Sequence, residues 1–163
     1  MTLPADLEAR KSVVRREMLE QLRALPAEKR TARSARICER MLASEAWRNA
    51  ERVLLFSPMR TEPDIAPLSE VIKKQLKLVA IIPRTVRHEN ELELPFVPDL
   101  VLVPGLAFSR DGHRLGRGGG FYDRLLAGRA RDAAKIGVAF ALQLRNDVPR
   151  AEHDVILDAV VTD

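Results

Sequence analysis

The chain has 163 residues, 46% of them hydrophobic and 31% charged, with a single cysteine, Cys38. That composition suits one soluble domain and argues against a membrane span, an internal disulfide or a disordered tail. The net charge of +4 sits entirely in residues 1–52, which carry 12 basic and 8 acidic side chains, and only 4% of the chain is aromatic. The basic residues there interleave with acids, as in Arg15-Arg16-Glu17 and Glu28-Lys29-Arg30. A nucleic-acid surface wants a purer basic stripe with rings to stack on bases, so none is expected. The opening Met1-Thr-Leu-Pro lacks the basic-then-apolar form of a secretory signal. With the lone cysteine, this makes a reducing, cytoplasmic setting the expected one.

Leu7, Val14, Met18, Leu22 and Leu25 recur at helical spacing up to Pro26, which predicts a first helix. A second is predicted from Ala27 to Trp47, with Ala35, Cys38, Leu42 and Ala46 on its inner side. The texture then changes. Val53-Leu-Leu-Phe-Ser-Pro58, Leu78-Val-Ala-Ile-Ile-Pro83 and Leu100-Val-Leu-Val-Pro104 are short apolar runs closed by proline, as buried strands are. Asp64–Gln75 reads as a helix, and Glu91–Pro95 as an edge strand or extended loop. A helix from Gly120 to Arg131 and strands at Ile136–Phe140 and Ala159–Thr162 complete the series. Strands alternating with helices predict a three-layer α/β/α fold with a mainly parallel sheet. One domain is expected over residues 1–163, residues 1–50 packing on the sheet as helices.

Of eight glycines, five fall between Gly112 and Gly120. This cluster follows a predicted strand end, the rim where α/β sheets bind ligands. Successive glycines let backbone N–H groups approach an anion closely. Arg114 and Arg117 lie in the same segment and can fork onto phosphate oxygens, and Asp123 follows in the first turn of the next helix, where a carboxylate can share magnesium with phosphate. The segment is neither a Walker loop, having no Gly-Lys pair, nor the dinucleotide pattern, which fails at Phe121. Lys11 lies on the apolar stripe of the first helix with Arg15 one turn on; two cations so placed either snorkel to solvent or aim at an anion. No zinc spacing, thiol partner or serine-nucleophile motif occurs. A phosphate-handling site without a covalent nucleophile remains.

Pro104-Gly-Leu-Ala-Phe108 followed by Arg114-Leu-Gly-Arg-Gly-Gly-Gly-Phe-Tyr-Asp-Arg124 closely resembles the signature of the 5-formyltetrahydrofolate cyclo-ligases. Lys11-Ser-Val-Val-Arg15, Phe56-Ser-Pro-Met-Arg-Thr-Glu62-Pro-Asp64, Ile136–Gln143 and Asp158–Thr162 resemble further elements of that family in the same order. The resemblance implies conversion of 5-formyltetrahydrofolate, with or without a polyglutamate tail, to 5,10-methenyltetrahydrofolate using ATP and Mg²⁺. It also implies a fold similar to sugar-phosphate isomerases and CoA transferases. By the same resemblance, Lys11, Arg15 and the segment Arg114, Leu115, Gly116, Arg117, Gly118, Gly119, Gly120, Phe121, Tyr122 would bind ATP. Lys11, Arg117 and Asp123 would act in catalysis, and Asp123 and Asp158 would hold magnesium. Phe56, Met59 and Glu62 would contact the folate. No nucleic-acid, membrane or obligate protein partner is implied.

Phe121 stands where the family usually has tyrosine, and Arg84–Val97 is shorter than the matching stretch of many members. Two other readings stay open on the sequence: a related ATP- or sugar-phosphate-binding protein of this fold without folate activity, and a basic RNA-binding module.

Overall fold

Strands that are apolar at every position must be covered on both faces, and the computed structural model, which describes residues 4–163, shows how. The elements are α1 Pro4–Ala24, α2 Ala27–Ala43, α3 Glu45–Asn49, β1 Arg52–Phe56, α4 Ala66–Lys74, β2 Leu78–Ile82, β3 Leu100–Val103, β4 Ala107–Phe108, β5 Arg114–Leu115, α5 Phe121–Ala127, β6 Ala134–Val138 and β7 Ala159–Val161. Five strands form one parallel sheet in the order β2-β1-β3-β6-β7, and β4 and β5 form a separate antiparallel hairpin. Alternation within each strand divides the core. Val53, Leu55, Leu100 and Leu102 join the residues buried from α1 to α4 in one cluster. Leu54, Val101 and Val103 join Leu125 and Leu126 of α5 in the other. The fold is thus α/β with helices on both faces of a parallel sheet, as expected. Among the described residues, no helix is long and apolar enough to cross a membrane.

Three local expectations change and one choice is settled. The second helix is broken at Ser44, whose extended backbone ends α2 and whose hydroxyl caps α3 by accepting from Trp47 N–H. Its inner face is Ser34, Ile37, Cys38 and Met41 rather than the line through Ala35, because Ala35 is exposed. Of the two readings of the 91–95 stretch, the loop holds: a single 3₁₀ turn at Glu89–Glu91 leads into it. The helix starting at Phe121 stops at Ala127, with Gly128 as its C-cap.

The β4–β5 hairpin was not visible as a pattern, since two-residue strands have no period to read. Its turn is pinned to the last crossover: Leu157 N–H donates to Gly112 C=O at 2.9 Å. Gly112 has φ +92°, and a Cβ there would run into the Leu157 carbonyl oxygen. Gly112→Ala should therefore destabilise the chain by at least about 1–3 kcal/mol, read as a lower urea midpoint at unchanged slope.

Candidate active site

Strand order reverses between β1 and β3: the chain runs outward from β1 to β2, then returns to the other side of β1 for β3, β6 and β7. Loops leaving the carboxyl ends at such a point diverge and open a crevice. A cleft of about 550 Å³ lies there. One wall comes from the segment after β1, with Phe56, Met59 and Glu62, and from the end of β2. The other is Gly105 and the loop from Arg114 to Arg124, with Lys11 and Arg15 of α1 and Asp154 closing one side.

Lys11 does not snorkel. It is 7% exposed, and its Nζ lies 3.1 Å from Asp154 Oδ2 and 4.0 Å from Glu8 Oε1. Burial by itself would raise the Asp154 carboxyl, but the N–H of Ala151 and the Lys11 ammonium outweigh it and hold the group below the usual carboxylate range. One turn on, Arg15 Nε donates to the Gly116 carbonyl at 3.0 Å. Its guanidinium carbon and terminal nitrogens would lie 3.5–3.7 Å from a Cβ at Gly118, whose φ is +107°. A side chain at 118 would thus need strained backbone, while its Cβ would meet the cation only at ordinary contact distance.

Arg114 organises the base of the loop. It is buried, donating from Nη1 to Pro104 C=O at 3.1 Å and from Nη2 to Asp123 Oδ2 at 3.3 Å. Its Cζ lies 5.4 Å from the Tyr122 ring centroid, a cation–π contact. Arg114 Nε is buried with no hydrogen-bond partner among the described residues. The other Asp123 oxygen accepts from Val155 N–H at 3.2 Å, which ties α5 to the residue after Asp154. Burial pushes the Tyr122 hydroxyl far above its ordinary value. Phe121 and Tyr122 meet edge to face at 5.2 Å.

Arg117 spans the cleft, with Nη2 at 2.8 Å from Thr61 Oγ1 and 3.6 Å from Glu62 Oε1. Glu62 is 7% exposed, and its Oε2 accepts from Met59 N–H at 2.8 Å. Burial raises its carboxyl despite that bond and the nearby arginines. A raised folded value means that the ionised form is less favourable in the folded chain than in the unfolded one. Stability therefore falls as pH rises from the unfolded value through the folded one. Glu62→Gln should unfold at a higher temperature than the parent at neutral pH, with the gain shrinking as pH drops below the ordinary carboxylate range. Equal melting curves at neutral pH would show that Arg117 and Met59 N–H already offset the burial.

The structure gathers Lys11, Arg15, Phe56, Met59, Glu62 and the whole run from Arg114 through Leu115, Gly116, Gly118, Gly119 and Gly120 to Asp123 around one cleft. Asp158 is not among them. It precedes β7 at the amino end of the sheet, where its carboxylate accepts from Lys135 N–H at 2.7 Å. The acid beside Asp123 is instead Asp154, which sequence reading missed. Its partner Lys11 lies 143 residues away, so no spacing links them. The one available signal was a lysine on an apolar stripe, which left solvent or a buried anion as its two destinations. Arg84 and Arg87, which follow a proline-closed strand end, and Arg124 of the glycine segment also line the cleft, as do Glu8 and His153, which were not foreseen.

Residues 7–98 and 85–163 match the model of the 5-formyltetrahydrofolate cyclo-ligase family. The mouse (Mus musculus) 5-formyltetrahydrofolate cyclo-ligase is 29% identical over 185 residues, covering 91% of each chain. The Escherichia coli K12 enzyme of that name is 33% identical over 133 residues, 74% of this chain and 68% of its own. Among solved structures, the 5,10-methenyltetrahydrofolate synthetase of Aquifex aeolicus superposes with a TM-score of 0.79 at 26% identity, over 93% of this chain and 88% of that one. The synthetase of Mycoplasma pneumoniae superposes with a TM-score of 0.78 at 24% identity, over 94% and 98%. Matched along nearly its whole length, the chain belongs to the 5-formyltetrahydrofolate cyclo-ligase family, a family of ligases.

Proposed function

We propose that the chain catalyses the ATP- and magnesium-dependent cyclisation of 5-formyltetrahydrofolate to 5,10-methenyltetrahydrofolate, releasing ADP and phosphate. The observation that carries this reading is a single cleft with two unlike walls. A glycine loop flanked by Lys11 and Arg15 faces a wall with an apolar floor and one buried carboxyl, Glu62. Such a cleft can bring a polyphosphate and a flat heterocycle together, and no side chain in it is set up as a covalent nucleophile.

The chemistry needs none. A formamide oxygen leaves poorly, so it first attacks the γ-phosphorus of ATP. The bond to the bridging oxygen breaks, ADP departs, and the N5 lone pair makes an iminium phosphate. N10 then attacks the formyl carbon, the ring closes with loss of the N10 proton, and phosphate departs with the former formyl oxygen. The protein supplies position and charge. Lys11 and Arg15 hold phosphate oxygens, and the N–H groups from Gly116 to Gly120 approach them without Cβ interference. Arg117, between the two walls, neutralises charge near the transferred group. Phe56 and Met59 give the heterocycle an apolar bed, and Glu62 accepts from its amino and ring N–H groups.

The donor set fits magnesium, which keeps water and phosphate oxygens and takes one or two carboxylates from protein. Asp123 and Asp154, linked through Val155 N–H, are those carboxylates, and the ion would there offset phosphate charge. The reading calls for no nucleic acid, membrane or protein partner and suits the cytoplasm. Purified protein given 5-formyltetrahydrofolate and Mg-ATP should develop the absorbance of the methenyl product with stoichiometric ADP. Folded, ATP-binding protein that forms no methenyl product would overturn the proposal.

A further inference from the structure

Seven cations line the cleft: Lys11, Arg15, Arg84, Arg87, Arg114, Arg117 and Arg124. Five of them already hold a protein oxygen: Asp154 for Lys11, the Gly116 carbonyl for Arg15, Asp123 for Arg114, Thr61 for Arg117 and Glu89 for Arg124. Arg84 and Arg87 make no hydrogen bond or ion pair with any described residue, although Arg84 favours the ionised form of Glu62 from beyond ion-pair distance. Their mount is nevertheless fixed. Val86, between them, packs against the core on the α5 side of the sheet, and Val86 N–H closes a turn onto Pro83 C=O at 3.3 Å. The nearest acid along the chain, Glu89, is taken by Arg124 at 2.7 Å, and Arg129 holds the Glu89 carbonyl at 3.1 Å. Two cations are thus carried on an anchored turn at the cleft rim, and the local acid that would neutralise them is turned away.

Sheet order says which part of a ligand reaches them. Arg84 and Arg87 follow β2, the outermost strand on the β1 side, whereas the glycine loop follows β3 and Asp154 precedes β7 at the other side. Phe56, Met59 and Glu62, following β1, lie between. A substrate with phosphate at the glycine loop and its heterocycle over the β1 segment extends its far end toward β2. The far end of 5-formyltetrahydrofolate is a glutamate with two carboxylates. Resting on the function proposed above, we infer that Arg84 and Arg87 form the subsite for the glutamyl carboxylates and set the preference for a substrate bearing that tail. A guanidinium free of protein partners meets a carboxylate in fork geometry at little cost in rearrangement.

The test compares Arg84→Ala/Arg87→Ala with the parent enzyme, using 5-formyltetrahydrofolate and 5-formyltetrahydropteroate, which lacks the glutamate. The double variant should raise KM for the glutamate-bearing substrate by roughly tenfold, the size expected for losing a charge-assisted contact. KM for the pteroate and for ATP should stay at the parent values, so that the two changes, variant and missing tail, are not additive. The rise of KM with salt should also be shallower in the variant. A parent enzyme that turns over folate beside a variant of unchanged folate KM would overturn this inference and leave the proposed function standing. A rise in KM for ATP instead would move the two arginines to the nucleotide and equally overturn it. A parent that makes no methenyl product fails the function itself.

Discussion

Lys11→Met is expected to lower kcat/KM for ATP by about 10²–10³-fold, the scale of losing one preorganised charge-stabilising donor. Methionine keeps most of the buried stem, so packing against Val14 and the rest of the α1 face survives. What goes is the ammonium, fixed 3.1 Å from Asp154 and withdrawn from solvent. Arg15 cannot replace it, being held on the Gly116 carbonyl at 3.0 Å. Loss of the partner also leaves Asp154 with the Ala151 N–H as its remaining hydrogen bond, a penalty of about 1–3 kcal/mol. Two effects are therefore mixed in the single variant, and Lys11→Met/Asp154→Asn separates them. The second change removes the stranded charge and should restore the urea midpoint, while ATP use stays low. Steady-state kinetics against ATP together with urea titration check this. Kinetic parameters for ATP within about twofold of the parent, in a folded Lys11→Met protein, would remove Lys11 from the phosphate site.

Lys11 also shows what the amino-acid sequence could and could not reveal. Strands such as Leu100–Val103 are apolar at every position, and a run of that kind between turn residues has few alternatives to a strand covered on both faces. The parallel sheet was legible for that reason. The glycine run was legible as part of a cleft wall because glycine is so rarely clustered without cause. Contacts made by the return of the chain were not legible. Asp154 reaches the cleft only because the loop before β7 passes back over α1. Ser44 had a local signal that was overridden: the apolar spacing around it continues through to Trp47, yet a serine hydroxyl can cap a new helix as readily as it can sit in an old one. Asp158 misled for the opposite reason. Its neighbours in sequence form a recognisable strand, but a strand has two ends, and the carboxylate lies at the amino end, against Lys135 N–H.

The magnesium dependence of three single variants follows from that geometry. Asp123→Asn and Asp154→Asn should each raise the magnesium concentration for half-maximal activity by about 10–100-fold, whereas Asp158→Asn should leave that titration unchanged. Asparagine keeps the shape and one acceptor oxygen, so Arg114 can still be met at position 123 and Ala151 N–H at position 154. The charge that a hard cation needs is lost at both. Asp123→Asn carries an added cost, because Arg114 is buried and has no other described acid within ion-pair distance; its unfolding midpoint should fall further than that of Asp154→Asn. Titration with magnesium at saturating ATP, repeated with manganese, which binds the same oxygen ligands, distinguishes a lost ligand from a distorted loop: a lost ligand shifts both titrations along the concentration axis, and a distorted loop lowers both plateaus in place. A shifted titration in Asp158→Asn with none in Asp154→Asn would reverse the assignment, requiring the segment from Asp154 to Asp158 to slide by about four residues toward the cleft. The bonds from Val155 N–H to Asp123 and from Leu157 N–H to Gly112 stand against such a slide, since both would have to break together.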